Sequence, residues 1–465
     1  MKKLGLNLVF YKTPLLLESG SYRSPSIMEV RMINILDLTN DQNDIKAKEL
    51  YTKLTQRTKS QDGANIIKIV ADILENVRSN GDKALKEYSK KFDNADIESI
   101  KVSEEEITAA YSKIEPKLLE TIKRSKQNIQ SFHEKQLQNS WINPKEDGTV
   151  LGQLVRPIEK VGLYVPGGTA PLISSVLMTA VPARVAGVSQ VIMCTPPSRD
   201  CSVNPAILVA AKEAGIDQVF RVGGAQAVGA MAYGTESIPA VDKICGPGNV
   251  YVSTAKRLIF GDCDIDMFAG PSEILIIADS SAKPEYVAAD LLSQAEHDKL
   301  ASSVLVTNNE KLIEQVVTEL EKQLSELSRG TITEKSLKDF GYAVLVDSIE
   351  KAIEVSNNIA PEHLEICVEE PMSLLGQIKN AGAIFVGNYS PEPLGDYMAG
   401  PSHVLPTSGT ARFSSPVNVD QFIKKSSLIY YNRAALEKTS QDIISFAEAE
   451  SLDAHANAIK VRFRS

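Results

Sequence analysis

The sequence contains no run of about 20 uninterrupted apolar residues, the length a membrane helix requires, because charges, prolines or glycines break every apolar stretch. A chain without such a run has no transmembrane helix to offer. It also lacks a basic block: 50 Lys and Arg stand against 59 Asp and Glu, for a formal charge of −9, so the clustered positive face that nucleic acid needs is missing. The five cysteines (Cys194, Cys201, Cys245, Cys263 and Cys367) are an odd set without a CxxC pair. This argues against a disulfide framework or a thiolate zinc knot and suits a reducing compartment. All five are expected to be small buried apolar residues. Cys245 in "ICGPGN" tempts as a nucleophile, but no histidine or other base lies near it in sequence to activate it. The GxGxxG fingerprint, a Walker lysine and HExxH are absent too, so a nucleotide or metal site here departs from the common patterns.

What is present is a chain of 465 residues, 43% of them hydrophobic, which suffices for a large core and a multidomain protein. Residues 1–27 have one acid, Glu18, against Lys2, Lys3, Lys12 and Arg23, a weak transit-peptide composition; an upstream start with Met28 or Met32 as working initiator is the preferred reading. From Asp41 to about Trp141 apolar residues recur at three- and four-residue spacing within charged stretches, a helical pattern in which His133 is expected to face solvent. Short β-branched runs then begin at 161 ("VGLYVPG"), 190 ("QVIMCTP"), 218 ("QVFRVGG") and 241 ("VDKICGPG"), each followed by an Ala-rich helical stretch. A second series starts at 273 ("EILIIAD"), 302 ("SSVLVTN"), 342 ("YAVLVDS"), 362 ("EHLEICV") and 382 ("GAIFVGN"). Such alternation predicts two parallel sheets with flanking helices. After about Val417 strand signals stop, and a helical tail with a narrow apolar stripe has to pack on something, a second subunit being one candidate. The expected organisation is an arm (1–40), a first α/β domain (41–160 plus 273–416) with a helical N-terminal part, a second α/β domain (161–272), and a helical dimerisation segment (417–465).

Three loops after strands carry glycine: "YVPGGTAPL" with Gly167 and Gly168, "GGAQAVGA", and "GPGN". At the carboxyl ends of parallel strands they either let a backbone approach a phosphate-bearing ligand or simply make tight turns, and three on one edge favour a binding site. Four histidines sit in Gly/Pro-rich or acidic surroundings: His297, His363, His403 and His455. Gln294 and His297 at i and i+3 share a helical face and are candidate ligands of one ion. Two ligands do not hold zinc, and Asp396 and His455 are available to complete a set. In "PEHLEI", Glu362 beside His363 is either an acid at a chain turn or a pair of proton carriers suited to two separate deprotonations.

These strings, together with "DIDMFAGPSEILIIAD", "DLLSQAEHD", "NAGAIFVGNYSPEPLGDYMAGPSHVLPT" and "LDAHANA", resemble the histidinol dehydrogenase family from about residue 35 to the C-terminus. The first 27 residues fall outside that pattern. The resemblance implies two Rossmann-like parallel-sheet domains and a small helical C-terminal domain exchanged in a cytoplasmic homodimer with shared active sites. It implies one zinc per subunit, held by Gln294, His297, Asp396 and His455, the last supplied by the second subunit together with Glu450. NAD contacts map to Tyr164, Gln226 and Asn249; contacts to the substrate, L-histidinol, map to Ser272, His363, His403, Glu450 and the metal ligands. Glu362 and His363 become the catalytic acid–base pair of a four-electron oxidation to L-histidine through L-histidinal, with two NAD. Another class, a zinc hydrolase in which Glu362 activates water, uses many of the same residues. The missing HExxH and the Gly-rich strand ends speak against it.

Overall fold

The computed structural model describes residues 32–41, 44–57, 63–167, 171–268 and 270–464; the leader-like segment, Met28 and Gly168 lie outside the described residues. The chain opens with β1 (Asn34–Asp37) and four helices, α1 (Ile45–Gln56), α2 (Gly63–Tyr88), α3 (Glu104–Ala110) and α4 (Pro116–His133). β2 (Trp141–Pro144) and β3 (Val150–Pro157) lead into β4 (Lys160–Tyr164), α5 (Ile173–Ala186), β5 (Gln190–Thr195), α6 (Pro205–Ala214), β6 (Gln218–Arg221), α7 (Gly224–Tyr233), β7 (Lys243–Cys245), α8 (Val250–Ile259) and β8 (Asp264–Ile265). A second alternation runs through β9 (Glu273–Ala278), α9 (Pro284–Ala295), β10 (Ser302–Thr307), α10 (Glu310–Leu324), α11 (Gly330–Phe340), β11 (Gly341–Leu345), α12 (Ile349–Ile359), β12 (His363–Cys367), β13 (Ala383–Val386) and α13 (Glu392–Tyr397). β14 (Ile423–Tyr430), α14 (Arg433–Ala449) and α15 (Asp453–Lys460) close the chain.

Two parallel sheets result, ordered β6-β5-β4-β7-β8 and β1-β11-β10-β9-β12-β13. Every β-branched run named above forms a strand. The reason is burial on both faces: all six residues of β9 (EILIIA) and of β10 (SSVLVT) are buried, as a parallel sheet covered by helices requires. α9, which packs on β9 and β10, and α12 cover opposite faces of the six-stranded sheet, contributing to separate apolar clusters around Leu305 and Val306.

Three features differ from the sequence reading. α2 packs on α7 and α8, α3 on α6, and α4 on α5 and α6, so these helices cover the five-stranded sheet, and only α1 of the stretch 41–160 packs beside the other sheet, on α12. Helical periodicity reports an apolar face but not which sheet it meets. Second, the tail is not wholly helical: β14 pairs antiparallel with β3, from Ile423 opposite Pro157 to Tyr430 opposite Val150, and β2 completes a three-stranded ribbon. Most of β14 is exposed, and the alternation that would mark a half-buried strand is absent from "IKKSSLIY".

Third, His133 does not face solvent. It ends the buried stripe Ile122, Ser125, Ile129 of α4, and its Nδ1 donates to the Ile129 carbonyl at 2.8 Å. Burial lowers its pKa below the ordinary value of 6.5. The unfolded chain therefore binds a proton that the native chain resists, so the associated stability is fully present above about pH 6.5 and is lost as pH falls toward the lowered native value. The melting temperature should accordingly drop more between pH 7 and pH 5 in the parent than in His133→Gln. Parallel melting curves for the two would show that the residue titrates in solvent.

Candidate active site

At the head of β12 the chain places Glu362 and His363, both buried, beside the first residue of β9, Glu273. The Glu273 amide donates to Glu362 Oε2 at 2.8 Å, and the Glu362 amide returns a bond to Glu273 Oε2 at 3.2 Å. His363 Nδ1 lies 2.8 Å from the Glu273 carbonyl, an acceptor, so that nitrogen carries the hydrogen and Nε2 is left as the acceptor. Nε2 faces Glu392 Oε1 at 3.7 Å. Burial holds His363 down at about 4, so the imidazole is neutral at pH 7. Burial, and next the charge of Glu273, push Glu362 well above the usual carboxylate range. A neutral imidazole next to a carboxyl of high proton affinity is an arrangement that can receive and return protons.

α13 supplies the next two acids from one face, Glu392 and Asp396 at i and i+4. Their environments separate them: burial, then Asp396, drives Glu392 up to about 9, whereas for Asp396 the hydrogen bond and charge of His403 overcome burial and bring it to about 2. His403 Nδ1 lies 3.3 Å from Asp396 Oδ1, and its Nε2 is 3.1 Å from the hydroxyl of Ser175 on α5, which ties this cluster to the element following β4. Ligand atoms of His363, Glu392 and Asp396 all lie within 4.8 Å of one another.

The remaining expected residues divide into near and far. Gln294 is buried in the last turn of α9 and its Oε1 has no hydrogen-bond partner among the described residues. His297 lies two residues past the end of α9 at Ala295, exposed, its N–H donating to the Gln294 carbonyl at 3.2 Å, and near enough to His363 for its charge to bear on that ring. Ser272 immediately precedes β9, and its carbonyl accepts from Ser302 N at 3.0 Å. Glu450 and His455 are exposed, and α15 packs on α14, so the 4.8 Å group does not include His455.

The glycine loops meet at the carboxyl ends of β4, β6 and β7. Tyr164 ends β4 buried, its hydroxyl accepting from Gly224 N at 3.1 Å, and burial pushes it up to about 12. Gln226 is buried in the first turn of α7, and the exposed Asn249 caps α8, its Oδ1 accepting from Tyr251 N and Val252 N at 3.0 and 3.1 Å. Gly246, at φ +123°, has no space for a side chain: a Cβ would stand 2.0 Å from the Tyr164 carbonyl oxygen. The buried pair Lys256 and Asp266 ties this loop down, Lys256 Nζ donating to the Gly246 carbonyl at 3.0 Å and Asp266 Oδ2 accepting from Gly246 N at 2.7 Å.

A sequence model of the histidinol dehydrogenase family matches residues 56–463. A histidinol dehydrogenase of Clostridium acetobutylicum is 56% identical over 416 residues, covering 90% of this chain and 96% of that protein. One of Bacillus subtilis is 53% identical over 397 residues, covering 85% and 93%. The crystal structure of histidinol dehydrogenase from Elizabethkingia anophelis superposes with a TM-score of 0.86 at 41% identity, covering 93% of this chain and 98% of that one. The chain belongs to the histidinol dehydrogenase family.

As a histidinol dehydrogenase relative it is an oxidoreductase acting on a small molecule, and among its described residues no helix is long and apolar enough to cross a membrane. Cys245 is buried and burial pushes its thiol up, so it offers no thiolate; Cys201, half-buried with φ +64°, is the exception to the expected burial of all five. The sequence reading missed Arg57, Glu273 and Glu392. Glu392 was within reach of it, since it lies one helical turn before Asp396 in "PEPLGDY". The donor chemistry around Asp396 suits a divalent ion: its carboxylate lies within 4.8 Å of ligand atoms of His363 and Glu392, and the Gln294 amide oxygen is buried with no partner among the described residues.

Proposed function

We propose that this histidinol dehydrogenase relative oxidises L-histidinol to L-histidine through L-histidinal, reducing two NAD, with one zinc per subunit. The observation that supports it most is the buried Glu362–His363 pair, its acceptor nitrogen turned toward the donor group that includes Asp396. Gln294, His297 and Asp396 would hold the ion, with His455 from a second copy of the chain. When bound, the metal would supply a template that orients the substrate and fixes its alcohol carbon. Ser272, His403 and a second copy's Glu450 line the substrate side, and Tyr164, Gln226 and Asn249 the dinucleotide side. His363 Nε2 takes the hydroxyl proton as hydride leaves for the first nicotinamide. Glu362 then takes a proton from the water that attacks the aldehyde carbon while His363 returns its proton to the aldehyde oxygen, and the hydrate loses a hydroxyl proton to His363 as it gives its hydride to the second NAD.

Purified protein given histidinol and NAD should form two NADH per histidinol consumed, with histidine as product. No growth of NADH absorbance by the metal-loaded protein would overturn the reading.

A homodimer follows from the same proposal, because His455 and Glu450 lie on a tail whose Phe446, Ile443 and Leu452 are exposed, as is Ile429 of β14. Mixing inactive His455→Asn with inactive His363→Asn should recover about a quarter or less of parent activity through hybrid dimers with one intact site. No recovery after confirmed subunit exchange would rule out a shared site. Reduced cysteines and the family's biosynthetic character support a cytoplasmic setting.

A further inference from the structure

Glu273 makes contacts that the proposed chemistry does not itself call on. Its carboxylate is held by Arg57, Nη2 to Oε1 at 2.7 Å, with side-chain exposures of 5% and 0% respectively. The same Oε1 accepts from Ser408 N at 2.8 Å, and Oε2 accepts from Glu362 N at 3.2 Å. The guanidinium comes from just past the end of α1 and uses four of its five N–H groups: Nη2 also donates to the Pro271 carbonyl at 2.8 Å, Nε to the Leu300 carbonyl at 2.9 Å, and Nη1 to the Leu54 carbonyl. Arg57 thus ties the loop before β9, the loop before β10 and the end of α1 to one carboxylate.

The main chain of that residue does the positioning. Its N–H is the 2.8 Å donor to Glu362, and its C=O is the 2.8 Å acceptor that sets which nitrogen of His363 carries the hydrogen. A slip of about 1 Å at the head of β9 would misdirect both groups at once, and displacements of that size cost up to about 10²-fold in rate. A buried ion pair is a poor choice if only cohesion is needed, since apolar residues of like volume serve as well or better. Here the carboxylate is set next to a second acid, Glu362, which raises its electrostatic cost further.

We infer that Arg57 and Glu273 are positioning residues for the two proton carriers: the pair holds the first residue of β9 where its amide fixes Glu362 and its carbonyl fixes the His363 ring. This rests on the reading that Glu362 and His363 move the protons.

The test uses the metal-loaded enzyme and the variants Arg57→Met, Glu273→Gln and the double variant, with Glu362→Gln in parallel. Each single variant should lower kcat about 10- to 100-fold while KM for histidinol stays within about threefold and metal content is unchanged. The double variant removes the unpaired buried charge, so its melting temperature should return toward that of the parent while kcat stays low. If kcat returns together with the melting temperature, or if the singles turn over at the parent rate, the pair is merely structural and the inference fails. Where a single variant does not fold, the double variant alone decides on the same criterion. A Glu362→Gln enzyme at full rate in both oxidations would instead sink the reading beneath it, whereas a slow Glu362→Gln beside normal Arg57 and Glu273 variants sinks only this inference.

Discussion

Glu362→Gln should slow the oxidation of histidinal at least ~10²-fold, the usual size of a lost general base, and leave the oxidation of histidinol within about threefold of the parent. The amide oxygen of glutamine still accepts from the Glu273 amide, so the group keeps its place, but it no longer takes a proton from water. In the proposed reaction the alcohol step draws on His363, whose acceptor nitrogen is set by the Glu273 carbonyl and not by Glu362. Single-turnover measurements started separately from the alcohol and from the aldehyde resolve the two steps. Equal losses in both would take Glu362 out of this role and leave it as a support for its neighbour.

The other large effect concerns the ion. Stripping metal with a chelator should reduce histidinol turnover at least ~10³-fold, because the substrate loses the template that converts orientation into rate. Added zinc or manganese should restore it. Gln294→Leu gives a readout independent of activity. Its buried Oε1 has no partner among the described residues, a state that costs about 1–3 kcal/mol, so the leucine variant should bind metal more weakly and yet melt higher than the parent when both are metal-free. Turnover indifferent to metal content would refute the template. A leucine variant that is less stable without metal would show that the amide has a structural partner instead.

Much of the fold was legible because parallel strands buried on both faces read as unbroken β-branched runs. "EILIIA" and "SSVLVT" each became a strand with every residue buried. The three-stranded ribbon was not legible: β14 is mostly exposed, so no alternation records its pairing with β3. His133 misled for a related reason, since a polar residue on a charged helix reads as solvent-facing until the helix's neighbours are known. Within the site, Glu362 beside His363 was legible as either an acid at a chain turn or a pair of proton carriers, and the glycine loops as either tight turns or places of close backbone approach. Glu273 did not stand out. It is separated from Glu362 by 89 positions, and its bonds to Glu362 Oε2 and His363 Nδ1 are main-chain bonds that any residue type but proline could make.

The linear order of residues determined the strand and helix content of the two sheets, the lack of an uninterrupted apolar run of membrane length, and the kinds of side chain available to bind an ion or move a proton. These follow from composition and period, which are local. Only the tertiary structure decided which sheet α2 to α4 cover, that the heads of β9 and β12 clasp each other, and that one nitrogen of His363 is left to accept. Those depend on strand pairing between segments far apart in the chain, and local pattern carries no record of which strand lies next to which.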